Sequence, residues 1–94
     1  MGARRGLWGV ARAVSLITAF IVGVIVIGIL LVLLEANRTN ELVDLILDVG
    51  EFFVEPFDNI FSLDTVKARV AVNWGIGAVI YAAIGALISR VLLR

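Results

Sequence analysis

The chain has no cysteine and no histidine in its 94 residues. The first absence excludes disulfides and thiolate metal sites. The second excludes imidazole catalysis and histidine-ligated metals. Proline and tyrosine occur once each, and charged residues make up 17% of the chain, against about 25% in an ordinary soluble domain. Hydrophobic residues fill the difference, at 62% against a norm of about 45–50%, and the mean hydropathy is +1.10. These figures exclude a disordered chain and speak strongly against a water-soluble domain.

The absences reach further into function. An enzyme needs a nucleophile, an acid–base pair or a metal held in a cleft. No carboxylates pair inside the apolar runs. Gly23, Gly28, Gly75 and Gly77 sit in those runs without the strand context of a phosphate-binding loop. The expectation is a non-enzyme with no cofactor and no metal residues. Nucleic acid is excluded as a partner, because the five terminal arginines are too sparse for a footprint.

Net charge is zero, yet the charges are strongly partitioned. Arg4, Arg5 and Arg12 precede residue 35 with no acid among them. All eight acids fall between 35 and 69, with Arg38, Lys67 and Arg69; Arg90 and Arg94 follow. Two uncharged runs separate these groups, the 22 residues Ala13 to Leu34 and the 20 residues Val70 to Ser89. As helices they measure about 33 and 30 Å, against a hydrocarbon core of about 30 Å. The expected fold is an all-α membrane protein. It is a two-span transmembrane helical hairpin with an amphipathic helical extracytoplasmic connection kinked near Pro56. The expected segments are a cytoplasmic N-terminal stretch 1–12, a first transmembrane helix 13–34 and an acidic helical loop 35–64. A second transmembrane helix 65–90 and a cytoplasmic tail 91–94 follow.

Two alternatives compete for the first run. Burial inside a soluble protein needs more protein bulk than this chain has. A signal peptide has a shorter apolar core, and cleavage after Leu34-Glu35-Ala36 would place a large residue where a small one is expected. The arginines at both ends favour termini in the cytoplasm of a bacterial cell membrane, with the acidic loop outside. Trp8 and Trp74 fall near the inner and outer boundaries, where interfacial tryptophans concentrate.

The loop acids Glu41, Asp44, Asp48, Glu51, Glu55 and Asp58 are spaced 3, 4, 3, 4 and 3 apart, a single helical stripe. Leu42, Leu45, Ile46, Val49, Phe52 and Phe53 lie opposite. Asn37, Thr39 or Asn40 is positioned to cap a helix over about 41–54. Pro56 then breaks it and opens a short helix of about 56–62. Asp64 is the expected cap of the next helix, beginning near Thr65. The acidic face repels anionic lipid headgroups, so the loop helix is expected to pack over the outer ends of the spans. Its acids read as a solvated face or as a surface for divalent cations or a basic partner.

The second span carries small residues at Ala68, Ala71, Gly75, Ala78, Ala82, Gly85 and Ser89, spaced 3 and 4 apart alternately. Ser15, Ala19 and Gly23 form a shorter counterpart in the first span. Small residues let helix backbones approach closely in lipid. The two stripes pair within one hairpin, between protomers, or both. Asn73 can tie a carbonyl of the first span or of a neighbour, and the Tyr81 hydroxyl needs a partner. Glu35 and Arg69 end the two spans at one depth and are expected to form an interfacial ion pair worth no more than about 1 kcal/mol.

A hairpin of two spans with both ends inside resembles some small phage holins and some small bacterial channels in topology and size. That resemblance implies a homo-oligomeric pore as one function. The other expectation is a structural or assembly role, self-associating or as an accessory subunit of a membrane complex. The expected partners are the lipid bilayer and further copies or another membrane protein.

Overall fold

The computed structural model describes residues 2–93. Met1 and Arg94, in the expected segments 1–12 and 91–94, lie outside the described residues, as do the side chains of Arg4 and Arg5. Three helices account for most of the chain, and no strand occurs among the described residues. Helix α1 is Gly2–Leu33, α2 is Glu41–Val54 and α3 is Val66–Leu93. Two of them, α1 and α3, are long and apolar enough to cross a membrane.

Each helix ends where its sequence supplies the missing backbone partners. At the end of α1 the amide of Ala36 donates to the Leu31 carbonyl at 2.8 Å, and that of Glu35 to the Val32 carbonyl at 3.0 Å. This pair of bonds is a Schellman closure, which needs a left-handed residue at its centre. Glu35 takes that position with φ 57°, at a site that favours glycine. The Asn40 side chain caps α2 by accepting from the amides of Leu42 and Val43. Thr65, rather than Asp64, caps α3, its hydroxyl accepting from the Ala68 amide at 3.1 Å. Threonine fits there because its own backbone is already extended, with ψ 149°. Beyond α2 the expected helix of 56–62 is reduced to one 3-10 turn, Glu55–Phe57. Proline favours the first turn, but the chain must then reverse toward Val66, so no further helical turn follows.

Helices α1 and α3 run antiparallel, as their contacts show. Ser15 bonds Ser89, Thr18 abuts Gly85, and Gly28 meets Trp74. Helix α2 does not lie across the ends of this pair, as expected, but alongside it. Gly50 meets Trp74, Val54 and Phe57 meet Gly77, and the Tyr81 hydroxyl donates to the Phe53 carbonyl at 2.7 Å. Tyr81 lies about 22 Å along α3 from its first residue, at the 1.5 Å rise of an α-helix. So α2 runs down beside α3 and the segment 58–65 climbs back. The reason is packing: Val43, Leu47, Gly50 and Val54 form an apolar edge that only the flank of the α1–α3 pair can cover.

Trp74 joins all three helices. It is 3% exposed, so its ring turns into the core rather than outward to the surroundings. A β-carbon at Gly28 would lie 2.7 Å from its ring, and one at Gly50 2.8 Å. Two glycines on different helices thus make the slot that the indole fills. Ile25, Leu47, Val54, Val70 and Ala78 complete the cluster. Helix α3 widens into a π-helical stretch over Val70–Trp74. Within it the neighbours Asn73 and Trp74 are both buried, one toward the return segment and one toward α1 and α2.

Much apolar surface stays uncovered. In their most hydrophobic windows, 11% of α1 and 17% of α3 is buried. Helix α2 also exposes Leu42, Leu45 and Phe52, beside its acids. The molecule measures 53 × 29 × 17 Å; its thinnest dimension is under two helix diameters. It has no room for a layer that encloses these side chains.

Two substitutions test this architecture by thermal melting of the purified chain. Trp74→Ala should cost about 3–5 kcal/mol, because the glycine slot cannot collapse around a smaller side chain. Glu35→Gly should raise stability by about 1 kcal/mol, since it relieves a left-handed non-glycine at the loss of one exposed ion pair.

Candidate functional site

The polar side chains gather at the end of the molecule where α1 stops and α3 starts. The acid stripe of α2 is one wall. Asp44, Asp48 and Glu51 converge on Arg38, which precedes the helix in the loop after α1. The guanidinium donates through Nη1 to Asp44 at 2.8 Å and Asp48 at 3.3 Å, and through Nη2 to Glu51 at 2.5 Å. The chain thus supplies its own basic partner for three of the six acids. Burial lowers the affinity of this guanidinium for its proton, but the bonds to Asp44 and Asp48 and the charges of Glu51 and Asp44 outweigh that. Its pKa is raised above the ordinary arginine value, so it stays charged at any working pH. Glu41, Glu55 and Asp58 form no ion pair among the described residues. Nor does any group of three acids converge there to hold a metal ion.

The expected Glu35–Arg69 pair is not formed. Glu35 meets Lys67 instead, at 3.1 Å, with both side chains largely exposed. Arg69, two residues on, turns toward α2. Its side chain lines a cavity of about 610 Å³ between the acid face of α2 and the first turns of α3. Its Nε is buried and has no hydrogen-bond partner among the described residues. Asp48, Glu51, Glu55 and Asp58 line the same cavity, with Arg38 and Asn59, and Trp74 and Phe52 give it apolar walls.

Asn73 ties down the neighbouring return segment. It is fully buried, and its Nδ2 donates to the carbonyls of Asp58 at 2.6 Å and Phe61 at 3.0 Å. Its Oδ1 accepts from the Phe61 amide at 3.1 Å. Its role is a tie, made within the chain to the return segment rather than to the first span. Three backbone groups of a segment with no regular structure are satisfied by one side chain, and this fixes Asp58 at the cavity edge. The Tyr81 hydroxyl takes the Phe53 carbonyl, and its ring stacks edge-on against Phe53 and Phe57.

The small-residue seam divides in two. Ala78 and Gly85 are buried, and Gly85 lies so close to Thr18 that no larger side chain fits. Ser89 bonds Ser15 at 3.2 Å. These residues pack α3 on α1. Ala82 and Ala19 are exposed and flank an open groove of about 350 Å³ with Ser15 and Ala86. Gly75 and Gly23 have open space where a β-carbon would stand. Ala68 and Ala71 are half-buried.

Sequence reasoning missed the Arg38 clasp, the Lys67 partner and the glycine slot. A signal existed for the first: Arg38 is the only cation between residues 13 and 66, and it precedes the acid stripe by three residues. In comparison with known proteins, no family model, curated relative or solved structure matches the chain.

Replacing Asn73 by Ala leaves three part-buried backbone groups without these partners, at about 1–3 kcal/mol for each one that water cannot reach. Hydrogen exchange at the Phe61 amide should accelerate well beyond that of the α1 amides. Equal acceleration everywhere would mean that Asn73 only supports global stability.

Proposed function

We propose that the chain is a small integral membrane protein with a structural or assembly role. In this reading α1 and α3 cross the cell membrane and both termini lie in the cytoplasm. The connection through α2 then lies on the far side, sunk beside the outer parts of the spans. The carrying observation is the uncovered apolar surface of both long helices, which are 11% and 17% buried in their most hydrophobic windows. Water would oppose that exposure at about 25 cal/mol per Å²; lipid or a neighbouring protein would not. The distribution of arginines supports the orientation.

Self-association through the open part of the seam is the assembly mode we favour. Ala19, Gly23, Gly75 and Ala82 are not filled by packing within the chain, and close backbone approach is what such positions permit in lipid. A pore is the other reading of a two-span chain, and it needs a continuous small or polar lining. Packing of Ala78 and Gly85 within the chain weighs toward assembly, because it removes part of that lining.

Gly75→Leu and Ala82→Leu should leave the chain folded and disperse the particle, measured as mass in nanodiscs. Gly85→Leu should instead unfold the α1–α3 contact, by about 1–3 kcal/mol or more as an overpacked site. An unchanged mass in the first two variants rejects assembly through the seam. A steady single-channel current from wild-type protein in planar bilayers would favour the pore.

A further inference from the structure

The other end of the hairpin has an opening of its own. Ser15 of α1 bonds Ser89 of α3, so in this antiparallel pair Leu93 stands level with Ala11. Between the two helices lies a groove of about 440 Å³, lined by Trp8, Gly9, Ala11, Arg12, Ser15 and Leu93. That volume is within the range of small-ligand sites. Gly9 has open space where a β-carbon would stand. The walls are apolar apart from Arg12 and Ser15, and the Ser15 hydroxyl is engaged with Ser89. Trp8 is 63% exposed where Trp74 is 3%, so its indole stands outside the packing of the fold.

Charge decides what the groove takes. Arg12 is exposed and makes no ion pair or side-chain hydrogen bond among the described residues. All eight acids fall between residues 35 and 69, around the opposite end of the hairpin. Arg90 lies in the last turn of α3, and the sequence adds Arg4, Arg5 and Arg94 to the same end. An anion is therefore answered here and a cation is not. Guanidinium binds phosphate through parallel N–H donors. An ammonium or choline group finds no carboxylate and meets arginines of its own sign. The apolar side of the ligand is set by α1. Leu16 and Phe20 follow Arg12 at steps of four, on one face of the helix, and are 62% and 60% exposed. A charged head on Arg12 thus continues into a bare apolar track, which suits an acyl chain and not an acidic peptide.

We propose that this groove binds an anionic phospholipid of the inner leaflet, its phosphodiester on Arg12 and an acyl chain along Leu16 and Phe20. The inference rests on the membrane reading above, which puts this end of the hairpin at the cytoplasmic surface. Basic openings between spans on that side take anionic headgroups. Trp8 stands at the headgroup level, where an indole meets both media.

The test uses the full chain in an uncharged maltoside micelle and phospholipids brominated on their acyl chains, which quench tryptophan on contact. Trp8 is open to them and Trp74 is enclosed. Brominated phosphatidylglycerol should quench saturably, and Trp8→Phe should abolish that component. Brominated phosphatidylcholine should bind roughly tenfold or more weaker. Arg12→Gln should weaken phosphatidylglycerol by roughly tenfold or more. Its melting temperature should stay at that of wild type, because Arg12 makes no described bond within the fold. Arg90→Gln controls for diffuse charge. Arg90 does not line the groove, so its loss should change the affinity by no more than about twofold. Equal affinity for the two lipids, full binding by Arg12→Gln, or equal losses in Arg12→Gln and Arg90→Gln overturns the proposal. So does displacement of the lipid by equimolar inorganic phosphate or by a glutamate-rich peptide. Binding in a micelle needs no bilayer, so the two readings fail separately. A chain released from cell membranes only by detergent, yet quenched alike by both lipids, loses the site and keeps the membrane reading. A chain recovered in buffer without detergent loses the membrane reading, and the lipid with it.

Discussion

One indole ring holds the molecule together. Trp74 lies in a slot cut by Gly28 on α1 and Gly50 on α2, and it belongs to α3 itself. Three helices therefore depend on one side chain and on two positions that lack one. The arrangement suits a chain with little else to bury. Its enclosed core is a handful of residues around Ile25, Leu47 and Val54, and dispersion contacts of a large flat ring are worth most where backbones come close. The π-helical stretch serves the same centre, because it lets Asn73 and Trp74 both turn inward from adjacent positions.

From that centre the polar half of the structure follows. With α2 drawn against the flank of the long helices, its acids cannot spread over their ends. They face sideways, beside Arg38 and Arg69, and Asn73 pins the returning chain at the edge of the resulting cavity. The same helix turns Leu42, Leu45 and Phe52 outward. An element that presents carboxylates on one side and bare leucine and phenylalanine on the next suits a boundary between two media, as the membrane reading proposed above requires.

The elements of this fold were legible where their cause is local. The acid stripe of period 3.5, a cap among Asn37, Thr39 and Asn40, and the second apolar run give α2 and α3 close to their observed limits, whereas α1 begins at Gly2, eleven residues before the expected start of its span. What could not be read was how the elements lie on one another. Gly28 and Gly50 look like any glycines in an apolar sequence until a tryptophan 24 residues beyond the second is placed between them. The inward turn of Trp74 could not be read either, because hydropathy locates a residue along a helix and says nothing of its azimuth. The shift from Arg69 to Lys67 as partner of Glu35 has the same origin, since two residues along a helix reverse the direction of a side chain. Of the candidate site, the acids were visible as a stripe; the cavity was not, because it forms only when α2 lies alongside α3.

The local nature of the contacts around α2 has a bearing on synthesis. Residues are added from the N-terminus, so all of α2 is translated before Trp74. In that interval its long-range support does not exist. The Asn40 cap and the Arg38 bonds to Asp44, Asp48 and Glu51 are all made between residues no more than 13 apart. They are complete once Glu51 has been translated. The nascent segment thus carries its own means of remaining helical while it waits for the tryptophan that will fasten it in place.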